Sequence, residues 1–344
     1  MPLVLPRNSQ RRFYRGGRRI ADLRGLPAGD DHVPEDWVGS TSTAFGEAEA
    51  GLSRLPDGRA LRDAVRADPD AFLGPAHVKA LGPEPRLLVK LLDAGERLPV
   101  HFHPGRAFAR EWLGSEHGKT EAWVMVSADS GAEVHVGFNS SVDPATVRGW
   151  IDRQDGEAML AALRRVPVAA GDALLVPAGT PHAIGAGILL VELQEPTDFS
   201  VLMEMDAFGL EGDEQVNLGL GWERALEALD TSAWDDSRAA AMRGWRRPVE
   251  GRAGTFEILP AGAEPYFGAE LLVPNPVSEL DAGFSILVVV RGSGVLATAD
   301  GSEVPLSRGT TLLTPYAAGA CRVSGQLEVV RCRPPDPGAG EGEW

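Results

Sequence analysis

Cysteine is nearly absent: 344 residues hold two, Cys321 and Cys332. That is too few for a disulfide framework and points to a reducing, cytoplasmic compartment. No apolar run approaches the length of a membrane span, and the opening Met-Pro-Leu-Val-Leu-Pro-Arg-Asn has no secretory pattern, so no membrane partner is expected. Positive charge is short too, with 33 Lys and Arg against 49 Asp and Glu and a net charge of −16. Nucleic acid and anionic lipid are therefore poor partners. An anionic substrate would need a site with its own local positive charge. Histidine is scarce as well: seven occur, none beyond residue 182.

The remaining composition, 43% hydrophobic and 24% charged, is ordinary for a globular chain. The length suits a large core and two domains. One stretch, Gly95 to Ile184, concentrates residues that suit a divalent metal: His101, His103, Glu121 and His182. His101 and His103 are two apart, so on an extended strand they share a face. Val-Met-Val after Glu121 and Ala-Leu-Leu-Val before Pro177 read as further strands. The Pro-Ala-Gly-Thr-Pro run that follows can carry His182 back over the first pair. A lone histidine would suit a core role satisfied by backbone. Three with a glutamate favour a metal, and such a set leaves a bound ion net positive with open positions, an electrophilic rather than a closed structural site.

These residues carry a resemblance. Gly95-x5-His101-x-His103 with the later Glu121 resembles the first cupin motif, and Gly171-x5-Pro177-x-Gly179-x2-His182 the second. Phe13-Tyr14-Arg15-Gly16-Gly17-Arg18, Glu35-Asp36-Trp37-Val38-Gly39, the run Leu87 to Ala94 and Gly118-Lys119-Thr120-Glu121-Ala122-Trp123 extend it. So do Val176 to Gly185, Glu192-Leu193-Gln194-Glu195 and Asn217 to Glu223. Over roughly residues 11–230 the chain is similar to class I mannose-6-phosphate isomerases. The resemblance implies a mainly β fold of two cupin, jelly-roll-type barrels with helical insertions. Residues 1–84 are expected to join the first cupin, and 85–205 to form the metal-binding cupin. Helical spacing in 145–151 and 157–163 places an insertion near 143–165. Residues 206–250 read as a helical linker, with Trp222, Trp234 and Trp245 as core anchors. Residues 251–334 read as a second cupin without metal ligands. There the strand-rich run 284–297 is broken at Arg291-Gly292-Ser293-Gly294, and Gly309 to Tyr316 echoes Gly171 to Pro177 without a histidine. Residues 335–344 read as a flexible acidic tail.

The resemblance further implies a metal-dependent aldose–ketose isomerase, exchanging mannose 6-phosphate and fructose 6-phosphate, or a related sugar, through a cis-enediol. One divalent ion would stabilise the developing oxygen charge. Zinc comes first; manganese, iron, cobalt and nickel also suit the donors. Lys119 is the candidate acid–base group, Lys90 and Gln194 are candidate substrate contacts, and Glu192 is a candidate to orient a ligand histidine. His117 suits either a pocket wall or a solvated loop, and His32, His77 and His135 structural roles. Three departures from the family stand out: His101 in place of glutamine, Pro99 in place of serine, and Leu202 near the place of a pocket arginine. Arg106 and Arg110, four apart, would share a helix face and could replace that arginine as anion partners. Competing readings are a non-catalytic sugar-binding or regulatory metal cupin, an isomerase of an unphosphorylated sugar, and an iron cupin oxygenase. The partner in each case is a small molecule, and the chain a monomer or homo-oligomer.

Overall fold

The computed structural model describes residues 1–340; the last four residues of the expected tail lie outside the described residues. The chain is mainly β, built on three antiparallel sheets. The first has seven strands, in the spatial order Arg243–Gly244, Ala173–Val176, Glu121–Ala128, Ile188–Gln194, Leu88–Ala94, Glu35–Val38 and Ser9–Gln10. The second has five, Val201–Leu202, His101–Phe102, His182–Ile184, Glu133–Phe138 and Leu163–Pro167. These two sheets face one another, since His103 and His182 reach Glu121 across the gap.

The strands Leu88–Ala94 and Ile188–Gln194 are buried along their whole length. They lie inside the sheet, where β-rich apolar runs fit. Alternation then sorts their side chains. Val89, Leu91, Val191 and Leu193 join the main apolar core, while Lys90, Glu192 and Gln194 share the opposite face. Register aligns that face across the sheet. Trp37 pairs with Lys90, Lys90 with Glu192, and Glu192 with Trp123; one step along, Gln194 pairs with Glu121. A row of ionic and aromatic side chains is thus held inside the molecule by the period of the strand.

Two helices, Pro144–Arg153 and Gly156–Ala162, lie between strands of the five-stranded sheet. Asp143 and Asp155 cap them by accepting from the amides of Ala145 and Ala158. Val147, Ile151 and Met159 pack with Phe102, Phe138 and Leu163 in a second apolar cluster.

The third sheet, of nine strands, belongs mostly to residues 247–333. Two features differ from expectation. Arg291-Gly292-Ser293-Gly294 does not break a strand: Ser285–Thr298 is continuous and pairs throughout with Cys321–Arg333, the register shifting between Val289 and Arg291. A bulge absorbs the bend. The glycines permit close pairing, because a Cβ on Gly292 would stand 1.9 Å from the carbonyl oxygen of Gln326. The N-terminal segment also serves both parts of the molecule, since Leu3–Val4 pairs with Leu312 and Leu313 of the third sheet. Trp234 is a core anchor, 1% exposed, but Trp245 is 56% exposed. It sits between two short strands, Arg243–Gly244 and Arg247–Pro248, that join different sheets. In the tail, Pro335 is buried and the amide of Asp336 donates to the Glu264 carbonyl at 3.0 Å, so its described part lies against the body.

Candidate metal centre

His101, His103 and His182 come together in the interior, with one ring nitrogen from each within 4.8 Å of the others. His101 and His182 are direct antiparallel partners, which sets two of the rings side by side. Each Nδ1 lies against a backbone carbonyl: Pro99 at 2.8 Å, Phe199 at 2.7 Å and Thr180 at 2.8 Å for His101, His103 and His182. A carbonyl only accepts, so each Nδ1 carries the proton and each Nε2 presents a lone pair. Burial lowers the pKa of all three rings, that of His103 to about 3 with the help of Lys119. They are neutral at physiological pH, the state in which imidazole binds a metal.

Glu121 stands against two of these rings. Its carboxylate oxygens lie 3.2 Å from Nε2 of His103 and 3.3 Å from Nε2 of His182. The Trp123 indole donates to it at 2.9 Å and Lys119 Nζ at 2.6 Å. Burial raises its pKa, but the Lys119 ammonium outweighs that and holds it well below the usual carboxylate range. Nε2 of His182 is buried without a hydrogen-bond partner. An orphaned imidazole nitrogen beside a carboxylate and two further imidazoles fits a divalent metal.

The group reaches a cavity of about 530 Å³ through His101 and Glu121, which line it with Lys119 and Leu202. Beside Glu121 runs the polar row of the seven-stranded sheet. Lys90 Nζ stands 3.5 Å from Glu192, 3.7 Å from Glu35 and 3.6 Å from Asp198, and 4.9 Å from the centre of the Trp37 ring. Burial lowers its pKa, but these carboxylates raise it further and keep it charged. Glu35 also accepts from Tyr14 at 2.6 Å and from the Trp37 indole at 2.7 Å. Burial raises the Glu35 pKa; Arg12 and Lys90 bring it well down. Of the three lysines in the chain, Lys79, Lys90 and Lys119, two are buried here.

The remaining candidates separate. Lys119 touches both His103, at 2.7 Å, and Glu121. Glu192 orients no histidine, since every Nδ1 is taken by backbone. It lies between the two lysines, 3.5 Å from Lys90 and 3.7 Å from Lys119, and burial raises its pKa. Gln194 is fully buried, and its amide donates to the carbonyls of Glu195 and Thr197 rather than lining the cavity. Arg106 and Arg110 do not share a helical face in the cavity. Arg106 is held by Glu195 at 2.5 Å and lies over the Tyr266 ring; Arg110 is exposed near Glu116. The helix there is only Arg106–Phe108 before the coil widens over Ala109–Leu113. Sequence reasoning missed Glu35 and Asp198 as cavity residues. The one available signal was a charged pair, Glu35-Asp36, inside a short strand buried throughout.

No family model matches the chain. A mannose-6-phosphate isomerase of Streptococcus mutans is 30% identical over 246 residues, 71% of this chain and 72% of that protein. The chain belongs to the mannose-6-phosphate isomerase family. The crystal structure of the Bacillus subtilis mannose 6-phosphate isomerase superposes with a TM-score of 0.76 at 22% identity, over 96% of this chain and 99% of that one. A mannose 6-phosphate isomerase bound with zinc and yttrium superposes with a TM-score of 0.73 at 14% identity, over 97% of this chain and all of that one. This family member therefore keeps the fold along almost its whole length.

Proposed function

We propose that the chain interconverts mannose 6-phosphate and fructose 6-phosphate through a cis-enediol. The observation that carries this reading is the buried trio of neutral imidazoles, which reaches one cavity through His101 beside Glu121 and Lys119, in a chain of this family. His101, His103, His182 and Glu121 would hold one divalent ion, zinc first, given a zinc-bound relative. Manganese, iron, cobalt and nickel suit the same donors. When bound, such an ion supplies electrophilic stabilisation of the oxygen charge that develops as the carbon acid ionises.

The chain's own groups do the rest. Lys119 is the proton carrier between C1 and C2: as the amine it takes the proton from one carbon and as the ammonium it returns it to the other, and among the described residues it is the one buried lysine that touches the ligand set. Glu192 and Lys90 keep it in place by an ion-pair chain that ends on Glu35 and Asp198. Lys90 also presents its charge to the substrate side of the cavity. Apolar walls at Leu92, Leu98, Ile184 and Leu202 limit the water that could compete for the enediol.

In this reading the five- and seven-stranded sheets are the metal-binding cupin. The nine-stranded sheet, closed by its two long strands, is a second cupin with no histidine of its own. The two cysteines suit a reducing, cytoplasmic compartment. Among the described residues no helix is long and apolar enough to cross a membrane. Steady-state conversion of mannose 6-phosphate tests the proposal. Activity should vanish on chelation and return with zinc. A fully metallated preparation that forms no fructose 6-phosphate would refute it.

A further inference from the structure

The metal cavity itself is poor in free positive charge. Arg12, Lys90 and Lys119 line it, against six carboxylates: Glu35, Glu47, Glu121, Glu192, Asp198 and Glu214. All three cations are already committed. Arg12 pairs with Glu35 at 3.0 Å and Asp198 at 3.1 Å, and the lysines are paired as described above. A phosphate dianion needs donors from elsewhere.

A second cavity, of about 380 Å³, adjoins the first and shares Phe45, Gly46, Glu47 and Asp198 with it. The edge-to-face pair Phe45–Phe199, 5.7 Å between centres, forms part of the division. Arg62, Arg66 and Arg86 line this side cavity together with Thr41, Thr43 and His117. Arg62 and Arg66 are four apart on the helix Leu61–Ala67 and so present like charges on one face, which is unfavourable without a counter-ion. The facing carboxylates leave much of this charge unanswered. Glu84 pairs with Arg66 at 2.7 Å, and Asp198 is taken by Arg12 and Lys90. Glu47 is exposed on the rim. Arg62 has only Asp63, at 3.8 Å, and its buried Nε has no hydrogen-bond partner. Arg86 has no ion-pair or hydrogen-bond partner among the described residues, and it holds a left-handed φ of 54° that a non-glycine residue seldom adopts. His117 reports the same field: burial, then Arg86 and Arg106, lower its pKa to about 4. In a chain of net charge −16, two unanswered guanidiniums over one polar cavity are unusual.

We propose that this side cavity is a phosphate-monoester site formed by Arg62, Arg66 and Arg86, and that it receives the phosphate of the sugar substrate. The substrate half of the proposal rests on the isomerase reading; the anion half does not. Two guanidiniums present planar forks suited to phosphate oxygens, and the hydroxyls of Thr41 and Thr43 supply neutral donors.

The test compares the metallated wild type with an Arg62→Gln, Arg86→Gly double variant. Glycine is chosen at 86 because it accepts the left-handed backbone. Each protein is titrated calorimetrically with inorganic phosphate, and KM and kcat are measured for fructose 6-phosphate. Phosphate binding should weaken about tenfold or more, the scale of one charge-assisted hydrogen bond. KM should rise in parallel while kcat stays within a few-fold. Weakened phosphate binding with unchanged KM would overturn the substrate assignment and leave a site for free phosphate. No saturable phosphate binding by the wild type, or equal binding by the variant, would overturn the site altogether. A wild type that binds phosphate through these arginines yet turns over no sugar phosphate would sink the isomerase reading and leave the anion site standing. If the double variant does not fold, Arg62→Gln alone, on a partly exposed helix face, decides the binding question.

Discussion

Lys119 is where the account is most specific at the scale of single residues. Its ammonium touches His103 and Glu121, and no other lysine reaches them in the described residues. Lys119→Ala should lower kcat by about two to four orders of magnitude, the usual range for losing a general acid–base group. Metal content, measured by atomic spectroscopy on the same preparation, should be unchanged. Loss of the metal together with activity would instead make Lys119 a structural prop for the ligand set. The spacing of His101, His103, Glu121 and His182 made their convergence legible, because strand period and turn length fix where such side chains point. The roles of Glu192 and Gln194 were not legible at that scale. Which partner a buried polar group finds depends on cross-strand register and on loops far away in sequence, as when Phe199 supplies the carbonyl for His103.

At the scale of elements, glycine positions and ionic clusters decide what each sheet tolerates. Gly137 lies in the strand Glu133–Phe138 with a φ of 69°, and a Cβ there would stand 2.2 Å from the Trp234 ring. Gly137→Ala should destabilise the fold by about 2 kcal/mol or more, from backbone strain and overpacking together, read as a lowered midpoint in denaturant. A midpoint equal to wild type would mean that Trp234 is free to move aside.

In the third sheet, Arg331 is fully buried and pairs with Glu270 at 3.1 Å and Asp281 at 2.6 Å. Burial raises the Asp281 pKa, but Arg331 and Arg333 bring it from 3.8 down to about 2. A carboxylate whose folded pKa is depressed contributes stability in full above its unfolded value. That contribution fades as pH falls through the folded one. Thermal stability should therefore drop between about pH 4 and pH 2, and Asp281→Asn should flatten that part of the profile. An unchanged profile in the variant would remove Asp281 from the explanation. Strand and helix existence was largely legible in sequence from apolar period. The uninterrupted strand Ser285–Thr298 was not, since Arg-Gly-Ser-Gly is ordinary turn chemistry and only pairing with Cys321–Arg333 overrides it.

The whole molecule places its chemistry in one place. The first two sheets close on a polar cavity, all seven histidines fall in their half of the chain, and the third sheet adds a large β surface with none. Mainly-β architecture and membership of the family were readable from motif spacing. The charge balance of the cavity was not: Arg12 and Glu35 come from the N-terminal segment, and Asp198 from the loop after the strand Ile188–Gln194.

The central claim is proton transfer at C2 of a sugar by a metal-loaded site, and deuterium exchange followed by NMR tests it most directly. The metallated protein in deuterated water should introduce deuterium at C2 of mannose 6-phosphate at a rate at least equal to turnover. The exchange should disappear on chelation and return with zinc. A fully metallated protein that exchanges neither the C2 proton of mannose 6-phosphate or mannose nor a C1 proton of fructose 6-phosphate or fructose would contradict the account.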